Sequence, residues 1–124
     1  MPWTTLALAF AGALGVLARH FVQRLVPRTG PMPWGTFLVN MSGALAAGLV
    51  LTLVARRFTM PMWVQESVFV GFLGGYTTFS ALSIETFLMI ETRQYGAAAI
   101  YSLGSLTAGL MAVFAGAALG RWLT

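Results

Sequence analysis

Gly71-Phe72-Leu73-Gly74-Gly75-Tyr76-Thr77-Thr78-Phe79-Ser80-Ala81-Leu82-Ser83 decides how this chain folds. It lies inside an apolar run long enough to cross a bilayer, yet its centre is poor helix. The adjacent glycines Gly74 and Gly75 lose the most backbone entropy on ordering, and the β-branched pair Thr77-Thr78 follows closely. The reading is a spanning helix broken near its centre. Backbone that leaves the helix at membrane depth survives only inside protein or beside a polar cavity. The hydroxyls of Thr77, Thr78, Ser80 and Ser83 flank that break. Such a pattern marks either an ion or substrate site or a glycine-rich packing face.

Outward from this stretch, composition sets the class. Of 124 residues, 58% are hydrophobic and 8% charged, with mean hydropathy +0.82. A soluble domain carries about a quarter charged residues, so the chain is an integral membrane protein. With no cysteine, disulfide and thiolate chemistry are excluded. The net charge of +4 comes from arginines scattered between apolar segments, without the basic patch and interleaved aromatics of a nucleic-acid binder. One histidine and three far-separated glutamates form no metal-ligand cluster, and no nucleophile has a base at helical spacing. The chain is therefore not expected to be an enzyme.

The charges cut the sequence into four spans. Segments 2–18, 29–55, 67–84 and 94–120 are uncharged, and each supplies the roughly 20 residues a spanning helix needs once flanking residues are included. The expected helices are 3–26, 33–55, 62–91 and 95–122, forming one four-helix transmembrane domain. Trp3, Trp34, Trp63 and Trp122 fall at helix ends, where amphipathic rings prefer the headgroup level. Pro33 and Pro61 sit at helix starts, where a missing N–H costs little. The N-terminus is apolar but lacks the basic region of a signal peptide.

The loop arginines are balanced. Arg24, Arg28 and Arg93 share one side, and Arg56, Arg57 and Arg121 the other, so the positive-inside rule has nothing to act on. Either the chain inserts both ways and opposed copies pair as an antiparallel dimer, or one arginine still fixes a single topology. Thr36, Asn40, Gly43 and Ala47 share a face of helix 2, as do Tyr101, Ser105, Ala108 and Ala112 on helix 4. On helix 1, Gly12, Gly15 and Arg19 line up. Small faces let helices approach closely in lipid. Four short helices hardly enclose a water path alone, which implies an oligomer.

Asn40 offers donors and an acceptor deep in helix 2, for a helix–helix hydrogen bond or for ion coordination. Phe79 and Leu82 share a face of helix 3, and a phenyl edge carries partial positive charge that can meet a small anion; a packed Phe–Leu contact is the plainer alternative. Thr78, Leu82 and Glu85 form a partly polar stripe, with Glu85 about 10 Å from Thr78 by helical rise. Glu85 lines a vestibule or is solvated. Arg19 snorkels to water or holds positive potential at a pore mouth.

Gly71-Phe-Leu-Gly-Gly-Tyr-Thr-Thr-Phe-Ser80, Pro33-Trp-Gly-Thr-Phe-Leu-Val-Asn40 and Gly12-Ala-Leu-Gly-Val-Leu-Ala-Arg19 together resemble the fluoride-channel (Fluc) family, over all four helices. The resemblance implies a dual-topology, antiparallel homodimer with two fluoride pores in a cytoplasmic (inner) membrane, exporting fluoride passively. It also implies a structural sodium ion on the dimer axis, held by the carbonyls of Gly74 and Thr77. By position, Asn40 is the pore-facing amide and Phe79 the first pore phenylalanine. Tyr101 and Ser105 line the route from helix 4, Thr78 and Glu85 lie on the polar track, and Arg19 matches the helix 1 arginine. One departure stands out: Leu82 replaces the family's second phenylalanine. Two other readings compete, a small multidrug-resistance-type exporter and a non-transporting membrane subunit. The exporter needs a membrane-embedded acid, and helices 1 and 2 contain no Asp or Glu.

Overall fold

The computed structural model describes residues 2–124. Four helices are long and apolar enough to cross a membrane among those residues: α1 (Pro2–Leu25), α2 (Trp34–Arg56), α3 (Met62–Glu91) and α4 (Tyr95–Leu123). The bounds differ from the expected 3–26, 33–55, 62–91 and 95–122 by no more than one residue. At 1.5 Å per residue, α1 is about 36 Å long and α4 about 44 Å, against a hydrocarbon core of about 30 Å. The protein is a multi-pass, all-helical membrane protein.

Local chemistry sets the helix ends. Pro27, Pro31 and Pro33 keep the α1–α2 connection out of helix, and Gly30 turns it with φ +69°. Pro61 precedes α3. After α3, Gln94 N–H donates to Met89 O and Arg93 N–H to Ile90 O, a Schellman closure. Arg93 takes the left-handed position (φ 60°) that glycine usually fills. Chain direction puts Trp3 and Trp63 at one end of the bundle, where their rings meet edge to face at 4.9 Å.

Short connections make α1 and α3 parallel to each other, and likewise α2 and α4. Each pair closes through glycine. On α2 and α4, Gly48 lies against the Val113 carbonyl and Gly116 against the Leu45 carbonyl. A Cβ on Gly120 would come within 2.8 Å of Thr52. On α1 and the first half of α3, Gly15 lies against the Phe72 carbonyl, and a Cβ on Gly75 would sit 2.6 Å from Gly12 O. With lipid on the outside, such close packing supplies the attraction that a hydrophobic drive cannot.

α3 departs from one helix in two ways. Its first half carries a π-helical stretch, Ser67–Leu73, which the sequence reading did not anticipate. It then breaks at Thr77 (φ −84°, ψ 154°) and Thr78 (φ −146°, ψ 112°), both extended, before restarting as Phe79–Glu91. The glycines expected to leave the helix do not: Gly74–Tyr76 is still helical, and the β-branched threonines take the extended conformation that suits them.

Candidate functional site

The break is held from α2. Asn40 Oδ1 accepts from Thr78 N–H at 2.8 Å, and Asn40 Nδ2 donates to Thr78 O at 3.2 Å. A backbone amide can only donate and a carbonyl only accept, so this pairing fixes which way the Asn40 amide points. Two residues on, Ser42 Oγ and the Tyr76 hydroxyl lie 2.9 Å apart. Between them Gly43 lies against the Thr77 methyl. Asn40 and Gly43 therefore serve the break, while Thr36, one turn earlier on the same face, donates to Glu85. The α2–α4 seam runs instead along Leu45, Gly48 and Thr52.

The restart has its own cap. Thr78 Oγ1 accepts from Ala81 N–H at 3.2 Å and lies 3.3 Å from Ser80 Oγ. Thr77 turns back, donating N–H and hydroxyl to Leu73 O at 2.9 and 2.8 Å. These diversions bear on the carbonyls expected to bind sodium. The helical donor for Gly74 O is Thr78 N–H, which goes to Asn40. The helical donor for Thr77 O is Ala81 N–H, which goes to Thr78 Oγ1. Neither carbonyl accepts a backbone bond across the break among the described residues. Gly74 and Thr77 both border a cavity of about 820 Å³. The donor set, two carbonyls without helical partners on residues that border open space, fits a cation bound by backbone oxygen.

The same cavity meets Asn40, Thr78, Phe79, Leu82, Ser83 and Ser105. Phe79 is 80% exposed, and Leu82 is half-buried against the cluster of Met89, Ala98 and Tyr101. The two residues thus border one cavity but differ sharply in cover. Ser83 spends its hydroxyl on Phe79 O at 3.0 Å. Ser105 is buried, and its hydroxyl has no hydrogen-bond partner among the described residues. A buried polar group without a partner is costly, so Ser105 is a donor waiting for an acceptor.

Glu85 lies on a second cavity, of about 550 Å³, toward the α1–α2 connection. The expected stripe from Thr78 through Leu82 to Glu85 is therefore divided: Thr78 and Leu82 border the larger cavity, Glu85 the smaller. Thr78 is an extended cap, so helical spacing counted from it does not hold. Glu85 is tightly held. Thr36 donates to Oε1 at 2.6 Å and Tyr101, 1% exposed, donates to Oε2 at 2.7 Å. Gln23 Nε2 in turn donates to Thr36 Oγ1 at 3.3 Å, extending the network to α1. Sequence reading passed over Gln23; its position one turn beyond Arg19, amid apolar residues, was the available signal. Arg19 is half-buried and borders neither cavity.

A helix broken inside the membrane, with freed carbonyls and hydroxyls along a cavity, defines a small multi-pass protein built like those that bind ions or substrates at midplane. Residues 6–117 match the family described as CrcB-like protein, Camphor Resistance (CrcB). The chain is 42% identical over 115 residues to fluoride-specific ion channel FluC 2 of Nitrobacter hamburgensis, covering 91% of this chain and 93% of that one. It is 39% identical to fluoride-specific ion channel FluC of Nitrobacter winogradskyi, over 98% of both chains. The FluC protein of Chloroflexus aurantiacus is also 39% identical, over 94% of both. The chain belongs to the CrcB-like (FluC) family.

Proposed function

We propose that this chain is a passive, fluoride-selective channel of the cytoplasmic membrane, working without a catalytic step as an antiparallel dual-topology homodimer. The naming of its relatives supports the substrate. The structural observation that carries the reading is the unpartnered hydroxyl of buried Ser105 on the cavity that the Asn40–Thr78 clamp also borders. Fluoride is small and strongly hydrated, so a path through the membrane must replace its water with donors. Ser105 offers an O–H, and the second N–H of Asn40 remains after the bond to Thr78. Exposed Phe79 adds a positive ring edge on the same cavity. Thr78 and Ser83 border the same cavity, with Ser80 beside Thr78, and Glu85, held by Tyr101, lines a second cavity that serves as the vestibule; Arg19 borders neither and acts only through its charge.

The exposed Phe79 ring and the open cavity favour a second copy as cover. Gly74 O and Thr77 O of two copies would together hold one sodium ion, which two carbonyls alone do not enclose. When bound, the cation supplies a fixed positive field at the dimer centre. Fluoride that enters as HF ionises in the more alkaline cytoplasm and is trapped there; an open anion path lets it leave along the membrane potential. An exchanger would need a free membrane acid, whereas Glu85 is occupied by Thr36 and Tyr101.

Purified protein in liposomes separates the readings. Fluoride efflux supports the channel, proton-coupled cation uptake the exporter, and neither the non-transporting subunit. Several lysines added to the α2–α3 loop should lock one orientation and abolish activity of that chain expressed alone. Activity retained with every copy facing one way would refute the antiparallel dimer.

A further inference from the structure

We infer that Asn40 is the positioning residue that keeps the Gly74 carbonyl free for a cation, by capturing the amide hydrogen that would otherwise close on it; the inference rests on the sodium site proposed above. Gly74–Tyr76 is helical, with Gly74 at φ −64° and ψ −37°. One more helical residue at Thr77 would bring Thr78 N–H onto Gly74 O. That amide belongs to a residue only 7% exposed, so it must find an acceptor within the protein. Asn40 Oδ1 is that acceptor, at 2.8 Å.

The second bond of the amide works in the same direction. Nδ2 donates to Thr78 O at 3.2 Å, and this two-point contact copies a backbone pairing that only extended residues can offer. The neighbouring contacts make α2 a fixed template: Ser42 meets the Tyr76 hydroxyl, and Gly43 seats the Thr77 methyl. Thr78 Oγ1 completes the device by taking the Ala81 amide, the helical donor of Thr77 O. The cation ligands thus exist because α2 removes one donor and the cap removes the other. Asn40 couples the two ions: it holds the break open for the cation through its bonds to Thr78, and it keeps one N–H unspent on a residue that borders the anion cavity.

Two substitutions separate positioning from anion contact. Asp has the reach of Asn and still accepts from Thr78 N–H, ionised or protonated. Leu has the same branched outline, is larger and accepts nothing, so Thr78 N–H returns to Gly74 O. Thermal unfolding of purified protein would be followed in sodium chloride and in potassium chloride of equal strength, with fluoride efflux from liposomes measured alongside. Wild type is expected to melt about 5 °C higher in sodium. Asn40→Asp should keep that sodium response and lose at least tenfold in efflux. Asn40→Leu should lose both. A folded Asn40→Leu protein with the full sodium response, or a folded Asn40→Asp protein without it, would overturn the assignment. Should Asn40→Leu yield no folded protein, Asn40→Ala takes its place and the Asn40→Asp arm stands by itself. A wild type indifferent to sodium refutes the cation site, and this inference with it, before any variant is made.

Discussion

Gly74 and Gly75 are adjacent in sequence and opposite in use. A Cβ on Gly75 would lie 2.6 Å from the Gly12 carbonyl of α1, whereas one on Gly74 meets nothing nearer than Phe69 O of its own helix at 3.6 Å. The first glycine borders a cavity, and the second lets two helices touch. The same contrast holds at larger scale. The α2–α4 seam is glycine-closed, and no hydrogen bond joins α2 to α4 along it among the described residues, while Asn40 and Gly43 of α2 are spent on the α3 break. A glycine-rich motif therefore does not divide into packing or site as a whole; it divides residue by residue, according to what lies opposite.

The sharpest way to break this contrast is at the seam. Gly116 lies against Leu45 O, with Leu49 N 2.8 Å from an added Cβ, and all of these are backbone atoms that cannot swing aside. Gly116→Val should abolish recovery of folded protein, while Gly96→Ala, with nothing within 4 Å, should leave the yield unchanged. Size-exclusion profiles of both variants check this; a monodisperse Gly116→Val protein would dissolve the distinction.

Smaller, and more directly comparative, is the pair of neighbours. Gly75→Ala should destabilise by about 1–3 kcal/mol through overpacking against α1. Gly74→Ala should change stability by less than about 0.5 kcal/mol. Thermal unfolding at fixed sodium concentration measures both, and equal shifts would mean that the two glycines do the same job.

Smallest is the effect expected at Glu85. Glu85 accepts from both Thr36 and Tyr101, one oxygen each. Gln offers one oxygen and an amide, so Glu85→Gln faces a donor with a donor and should cost about 1–2 kcal/mol. The double variant Glu85→Gln with Tyr101→Phe should recover part of that loss, because it removes the stranded hydroxyl. Unfolding measurements on the three variants complete the cycle.

Much of the fold was legible in the sequence, and the reasons are physical. Charges are so expensive in lipid that gaps between arginines and glutamates mark the four spans, and tryptophans, prolines and the length a span needs bring the ends to within a residue. The break was visible because two glycines and two β-branched residues meet mid-span, although the threonines rather than the glycines turned out to be extended. The α2–α4 seam was not legible. Gly43, Ala44, Ala46, Ala47 and Gly48 put small residues on nearly every face of α2, so spacing cannot rank them. Neither was the π stretch, since apolar periodicity carries no record of which carbonyl an amide chooses. The partners of Glu85 come from positions 36 and 101 on other helices, a closure that only the packed bundle reveals.

The central claim is that an anion passes the α3 break beside Phe79, and fluoride efflux normalised to folded protein tests it most directly. Phe79 is 80% exposed on the larger cavity, so Phe79→Leu removes a ring edge from the proposed path while disturbing little packing within the chain, and normalisation to folded dimer removes any cost at the contact between copies. Leu82→Phe adds a ring beside the same cavity, at a packing cost of about 1–3 kcal/mol that the normalisation removes. The account predicts a sharp fall in normalised efflux for Phe79→Leu and unchanged or higher efflux for Leu82→Phe. Normalised efflux unchanged in Phe79→Leu would contradict it, and would take the break out of the fluoride path.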